Sequence, residues 1–282
     1  MCCDPAMKSP AQTIARTELG SADAPVRQAE TDMVATDWQD RRMTSARPSA
    51  TRSEHPRPMH AIVAVKDLRS AKSRLAAELD VDARADLVLA MLHDTLATVT
   101  GVSAIDGVTV VTPDPTVAAL AYAAGVNVYA DPDSSRSTDS NRSTENSLNS
   151  ALDAAATHIR TEHGTVDLVV IQADLPSLQP AELLEALSAA RTGGRSIVVD
   201  HHGTGTAALF SCDPDLPLDP RFGPESARGH TDSGARQLNG EWPGLRTDVD
   251  TATDLDTARA LGVGPATLAS LTRFHRATTN TH

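Results

Sequence analysis

From Met59 onward, short apolar runs rich in β-branched residues alternate with stretches in which apolar residues recur every three or four positions. Side chains repeat every two residues on a strand and about every 3.6 on a helix, so the runs read as strands and the stretches as amphipathic helices. Their alternation predicts an α/β fold built from βαβ units. "HAIVAV" (60–65) is the first strand. A helix follows, N-capped by Asp82, with Val88, Met91, Leu92, Leu96 and Val99 as one apolar stripe. "GVTVVT" (107–112) is a strand, "PTVAALAYAAG" (115–125) a helix started by Pro115 and stopped by Gly125, and "VNVY" (126–129) a third strand.

Residues 131–146, "DPDSSRSTDSNRSTEN", form a polar, low-complexity insertion expected to be a flexible surface loop. Helical spacing returns in "SLNSALDAAATHI" (147–159). "VDLVVIQ" (166–172) is the most apolar strand and belongs at the centre of the sheet. A helix after Pro180, strands at "SIVVD" (196–200) and "GTAALF" (205–210), the segment "LRTDVD" and a last helix "TDLDTARAL" complete the pattern.

Before Met59 no such periodicity exists, and a segment of Pro, Arg, Ser, Thr, Asp and Gln lacks the apolar surface to offset chain entropy. Residues 1–58 therefore read as a disordered tail or an over-extended gene start with Met59 as initiator, 59–271 as one domain, and 272–282 as a second disordered tail. Phe, Trp and Tyr make up 2% of the chain, so the core must be aliphatic. The formal net charge of -12 argues against nucleic-acid or anionic-membrane partners, which require an extended basic face. No signal peptide or membrane span is recognisable, which points to the cytoplasm. Of Cys2, Cys3 and Cys212, only the last lies in the domain, where it reads as a small buried hydrophobe.

Ligands of open α/β sheets sit beyond the carboxyl ends of the strands. After the first strand, "AVKDLRSAKSRL" (64–75) gathers Lys66, Arg69, Lys72 and Arg74 without a glycine, so it offers side-chain cations rather than backbone amides. "ADLPSL" places Asp174 after the central strand, and "DVDT" places Asp248 and Asp250 after the last apolar segment. Carboxylates at separate strand ends facing a basic loop suit Mg²⁺-assisted phosphoryl or nucleotidyl transfer. Each piece also has a plainer reading: Asp174 as a turn or cap residue, "DVDTATDL" as a helix-capping sequence, and the basic stretch as a solvated helix face. "GTGTAALF" offers the hydroxyls of Thr204 or Thr206. "RFGPESARGH" groups Arg221, Gly223, Ser226, Arg228 and His230 in one short loop, either a cradle for a small phosphorylated carboxylate or an exposed turn. His230 reads as a surface residue, with a catalytic base as the alternative, and His201 and His202 as a polar turn.

In this order, "AVKDLRSAKSRL", "SLNSAL", "ADLPSL", "GTGTAALF", "RFGPES" and "DVDTATDL" resemble the guanylyltransferases that activate a phosphorylated three-carbon acid for coenzyme F-420 biosynthesis. The family acts on phosphoenolpyruvate in actinobacteria and on 2-phospho-L-lactate in archaea. The resemblance implies a nucleotidyltransferase fold of the glycosyltransferase-A type, three layers around a mixed, mostly parallel sheet. It makes Asp174 and Asp248, with Asp250 beside them, the Mg²⁺ ligands, and Thr206, Gly223 and Ser226 the phosphoenolpyruvate site. Lys66, Lys72, Arg74 and Asn149 fall on the GTP side, and Asp174, Asp248 and Lys72 carry catalysis. The implied product, enolpyruvoyl-2-diphospho-5′-guanosine, passes to a downstream transferase. Action on 2-phospho-L-lactate and a non-catalytic nucleotide-binding regulator are the alternatives. The molybdopterin nucleotidyltransferases are disfavoured, because their glycine-rich loop is replaced here by "KDLRSAKSRL".

Overall fold

The computed structural model describes residues 56–66, 68, 72–130 and 144–279. Arg69 and most of the polar insertion and of the N-terminal segment lie outside them. The strands are β1 (Met59–Ala64), β2 (Gly107–Thr112), β3 (Asn127–Ala130), β4 (Asp167–Gln172), β5 (Arg195–Val199), β6 (Thr206–Ser211) and β7 (Arg236–Gln237). They form one sheet in the order β3-β2-β1-β4-β6-β5-β7. β4 holds the central place that its apolarity predicts. It pairs in parallel with β1 and antiparallel with β6, which is also antiparallel to β5.

The helices are α1 (Val81–Gly101), α2 (Pro115–Ala123), α3 (Thr144–His163), α4 (Pro180–Ala190), α5 (Ser226–Asp232), α6 (Pro243–Arg246), α7 (Ala252–Leu261) and α8 (Pro265–Thr279). Strand alternation assigns the two faces of the sheet. Met59, Ala61 and Val63 of β1, with Val169 and Ile171 of β4, pack with residues of α1, α2 and α4. Ile62, Leu168 and Val170 face the other way, toward Leu152, Ala155 and Ile159 of α3. The central strands are therefore buried on both faces, which is why they read as continuous apolar runs rather than alternating ones.

The predicted stripe on α1 is buried throughout. Its cap is Asp80, whose carboxylate accepts from the Ala83 amide at 2.8 Å, and Asp82 lies in the first turn instead. Two helices differ from the sequence reading. "SARGHTD" is helix α5 rather than loop, and α8 follows α7 and runs eight residues past Leu271, through a stretch read as tail. The buried side of α8 includes Thr267 and Ser270 beside Leu271, so it carries little apolar signal. Asp94 of α1 caps α8 by accepting from the Ala266 and Thr267 amides at 3.1 and 2.8 Å. At the other end of the domain, packing begins with Arg57, whose guanidinium meets buried Asp167 at 2.7 Å. Cys212 is buried as expected, and burial pushes its thiol up to about 12.

Candidate active site

The strand order reverses direction between β1 and β4, and it is beyond the carboxyl ends at such a reversal that open α/β sheets bind their ligands. After β1, the chain turns at Lys72, whose backbone is left-handed with φ 51° and ψ 44°. Such a conformation costs a residue with a Cβ about 1–2 kcal/mol, and strain of this kind collects at functional sites. Its ammonium donates to Asp174, just past β4, and at 2.8 Å to Asp250. Burial alone would lower the Lys72 pKa, but the two carboxylates carry it above the usual lysine range. Against the effect of burial, Lys72 and Arg74 hold Asp250 below the usual carboxylate range, with Arg74 3.7 Å away.

The third acid has no such partner among the described residues. Burial and the charges of Asp174, Asp200 and Asp250 push Asp248 up to about 7. The Val249 amide bonds to the Asp174 carbonyl at 3.2 Å, which holds the two acid-bearing segments side by side. One buried oxygen each of Asp174 and Asp248 lacks a hydrogen-bond partner among the described residues. Buried carboxylate oxygens left without a hydrogen-bond partner, on acids close enough to raise one another's pKa, fit a hard divalent cation. His201 stands behind Asp248, its Nδ1 3.6 Å from that acid and its Nε2 3.0 Å from Asp254. Asp254 also completes the capping box of α7 with Thr251. The capping and acid-site readings of "DVDTATDL" are thus both realised, by different residues.

The second half of the site follows from the direction of β6. Because β6 is antiparallel to β4, its first residue, Thr206, lies at the carboxyl end of β4, where Gln172 donates to the Thr206 carbonyl at 3.2 Å. The preceding turn closes on Asp200, which accepts from the amides of Thr204 and Gly205 at 3.1 and 2.9 Å. A side chain at 205 would displace the Asp200 carboxylate that accepts from these amides. Ser226, the first residue of α5, donates to the Thr206 hydroxyl at 3.2 Å. Gly223, at φ 140°, occupies a backbone region that L side chains rarely adopt.

Asn149 on α3 grips the intervening loop, accepting from the Phe222 amide at 2.9 Å and donating to the Phe222 carbonyl at 3.0 Å. Its amide is engaged with the cradle loop, where the resemblance sets it on the nucleotide side. His230 corrects the surface reading: it is 0% exposed, bonded to Thr206 and to the Arg221 amide. Burial first, then the nearby Arg195 and Arg221 charges, pushes its pKa down to about 4. Arg228 points to solvent and pairs with Asp232, while Lys66 lies exposed beyond β1. Lys72, Arg74, Asp174, Asp248 and Asp250 are therefore brought together, and Thr206, Gly223 and Ser226 form a second group with His230 and Asn149. No sequence signal marks the burial of His230 or the Asn149 clamp, since both depend on contacts between distant segments.

The fold is that of nucleotidyltransferases. It is shared with a crystal structure from Desulfovibrio desulfuricans G20 described as a nucleotide-diphospho-sugar transferase, with a TM-score of 0.56 over 76% of this chain and 94% of that one. At 16% identity, that likeness speaks for the fold alone. Closer relatives narrow the class. Residues 59–226 match the family described as "Guanylyl transferase CofC like". The chain is 73% identical over 224 residues to the phosphoenolpyruvate guanylyltransferase of Rhodococcus erythropolis, covering 79% of this chain and 99% of that protein. The enzyme of the same name from Nocardia farcinica is 53% identical over 216 residues, 77% of this chain and 92% of its own. The chain belongs to the CofC-like guanylyl transferase family.

Proposed function

We propose that this guanylyltransferase condenses GTP with phosphoenolpyruvate, releasing pyrophosphate and forming enolpyruvoyl-2-diphospho-5′-guanosine for coenzyme F-420 biosynthesis. The observation that carries this reading is the pairing, at one end of the sheet, of an acid cluster with orphaned oxygens and a hydroxyl-lined cradle. The shared name of the relatives from Rhodococcus and Nocardia supports the choice of phospho-acid.

A phosphate oxygen of phosphoenolpyruvate attacks the α-phosphorus of GTP, and the bond to the bridging oxygen of pyrophosphate breaks. The nucleophile is already an anion, so no general base is required. Catalysis then consists of positioning and charge neutralisation. Asp174 and Asp248 are the residues to hold Mg²⁺, which when bound neutralises charge on the triphosphate and its leaving group. Lys72 keeps Asp174 and Asp250 together, and its three N–H donors allow it to turn one toward a phosphate. Arg74, 72% exposed at the rim, adds a cation free to swing toward an entering polyphosphate. Thr206, Ser226 and the Gly223 amide hold the phospho-acid.

The test is to incubate the protein with GTP, Mg²⁺ and, separately, phosphoenolpyruvate, 2-phospho-L-lactate and 3-phosphoglycerate. Released pyrophosphate is followed and the adduct identified by mass spectrometry. The expected result is rapid release and an enolpyruvoyl adduct with phosphoenolpyruvate. Faster release with 2-phospho-L-lactate would assign the other substrate, and tight GTP binding without release for any acid would make the protein a nucleotide-binding regulator.

A further inference from the structure

We propose that His230 is a positioning residue that turns the Thr206–Ser226 pair into a hydrogen-bond donor toward the oxyanion of the bound phospho-acid. The inference rests on the reading of Thr206 and Ser226 as ligands of that acid and assigns a role to a residue outside the cradle itself.

The ring's tautomer follows from a count of hydrogens. The backbone N–H of Arg221 can only donate, and it meets His230 Nε2 at 2.8 Å, so Nε2 carries no proton. A neutral imidazole has a single N–H, which therefore sits on Nδ1. Nδ1 lies 3.0 Å from Thr206 Oγ1 and donates to it.

Thr206 and Ser226 have two hydroxyl hydrogens between them, and the 3.2 Å bond joining them uses one. Were the imidazole an acceptor at Nδ1, the other would be spent on it, and the pair would have only lone pairs to offer a ligand. With Nδ1 as donor, whichever way the Thr206–Ser226 bond runs, one hydroxyl hydrogen is left over. An anionic ligand needs that hydrogen, because lone pairs would repel it. All three side chains are buried. The ring is further fixed by Phe222, which meets it edge-on at 5.1 Å between centroids. The tautomer is thus set by the loop that carries Arg221 and Phe222 and read out at Thr206 on β6.

Two substitutions separate this role from simple packing. In His230→Asn the amide nitrogen takes the place of Nδ1 and keeps the donor to Thr206, whereas in His230→Gln the amide reaches the Arg221 side and the donor is lost. The expected result is that His230→Gln raises KM for phosphoenolpyruvate about tenfold while KM for GTP stays nearly constant, and that His230→Asn restores most of the loss. Equal effects of the two variants, or an unchanged KM for phosphoenolpyruvate in His230→Gln, overturn the proposal. Thr206→Val tests the underlying reading separately: if it leaves KM for phosphoenolpyruvate unchanged, the cradle assignment fails whatever the His230 variants do. Should the His230 variants not fold, ¹⁵N NMR of the wild-type protein decides. A protonated Nδ1 with a bare Nε2 at His230 supports the proposal, and the opposite tautomer refutes it.

Discussion

Asp248 concentrates the conflict between stability and function into one side chain. It is buried among three other carboxylates, and one of its oxygens has no hydrogen-bond partner among the described residues. A neutral isostere relieves that crowding, so Asp248→Asn should raise the melting temperature of the metal-free protein by several degrees while cutting turnover by orders of magnitude. Thermal melts and pyrophosphate release on the same preparation check both halves, and a fall in melting temperature would contradict the view of Asp248 as a cation ligand held at a cost. The sequence pattern left "DVDTATDL" open as a helix-capping sequence or an acid site. Only contacts across the fold separate the two, with Thr251 and Asp254 closing the cap and Asp248 facing Asp174. His230 was still less legible, since nothing in "SARGHTD" distinguishes a buried imidazole from an exposed one.

Among the elements, α3 and β6 determine where the cradle sits. Asn149 replaces a backbone partner for the Phe222 peptide on both its sides, and thereby ties the loop between β6 and α5 to the helix face. Asn149→Ala leaves both Phe222 groups unpaired and should cost about 1–3 kcal/mol in chemical denaturation. It should also raise KM for phosphoenolpyruvate more than KM for GTP. The reverse ratio would restore Asn149 to the nucleotide side, where the resemblance to the family sets it. The strands were readable because their apolar runs are continuous, and α1 because its stripe is. Helices α5 and α8 were not, for opposite reasons: α5 is short, polar and interrupted by Gly229, and α8 buries Thr267 and Ser270 where an apolar pattern was expected.

For the molecule as a whole, the sheet order brings together segments more than a hundred residues apart, and Lys72 with Asp174 and Asp250 is the outcome. Sequence order supplied the members of that group, and the reversal between β1 and β4 supplied their proximity. Among the described residues no helix is long and apolar enough to cross a membrane. The fold as a whole also has an acid limit that the histidines set. His60, bonded to Thr109 at 2.8 Å, and His230 are both pushed down to about 4, chiefly by burial. Between pH 6.5 and 4 the unfolded chain binds protons at these positions and the folded chain does not, so stability falls as pH drops through that window. Asp248, raised to about 7, acts in the opposite sense over this range, so the measurement belongs in the Asp248→Asn background, where denaturation midpoints should decline from pH 6.5 toward 4 and His60→Gln should flatten the decline. A midpoint that is constant or rises over that range would contradict the assignment of both rings as buried and neutral.

The central claim is that guanylyl transfer depends on the acids gathered beyond the carboxyl ends of β1 and β4, and one measurement addresses it most directly. Pyrophosphate release from GTP, Mg²⁺ and phosphoenolpyruvate should be compared between the wild-type protein and a folded Asp174→Asn variant. The account predicts a loss of several orders of magnitude with the far-UV circular dichroism unchanged. Release by the folded variant at the wild-type rate would contradict it.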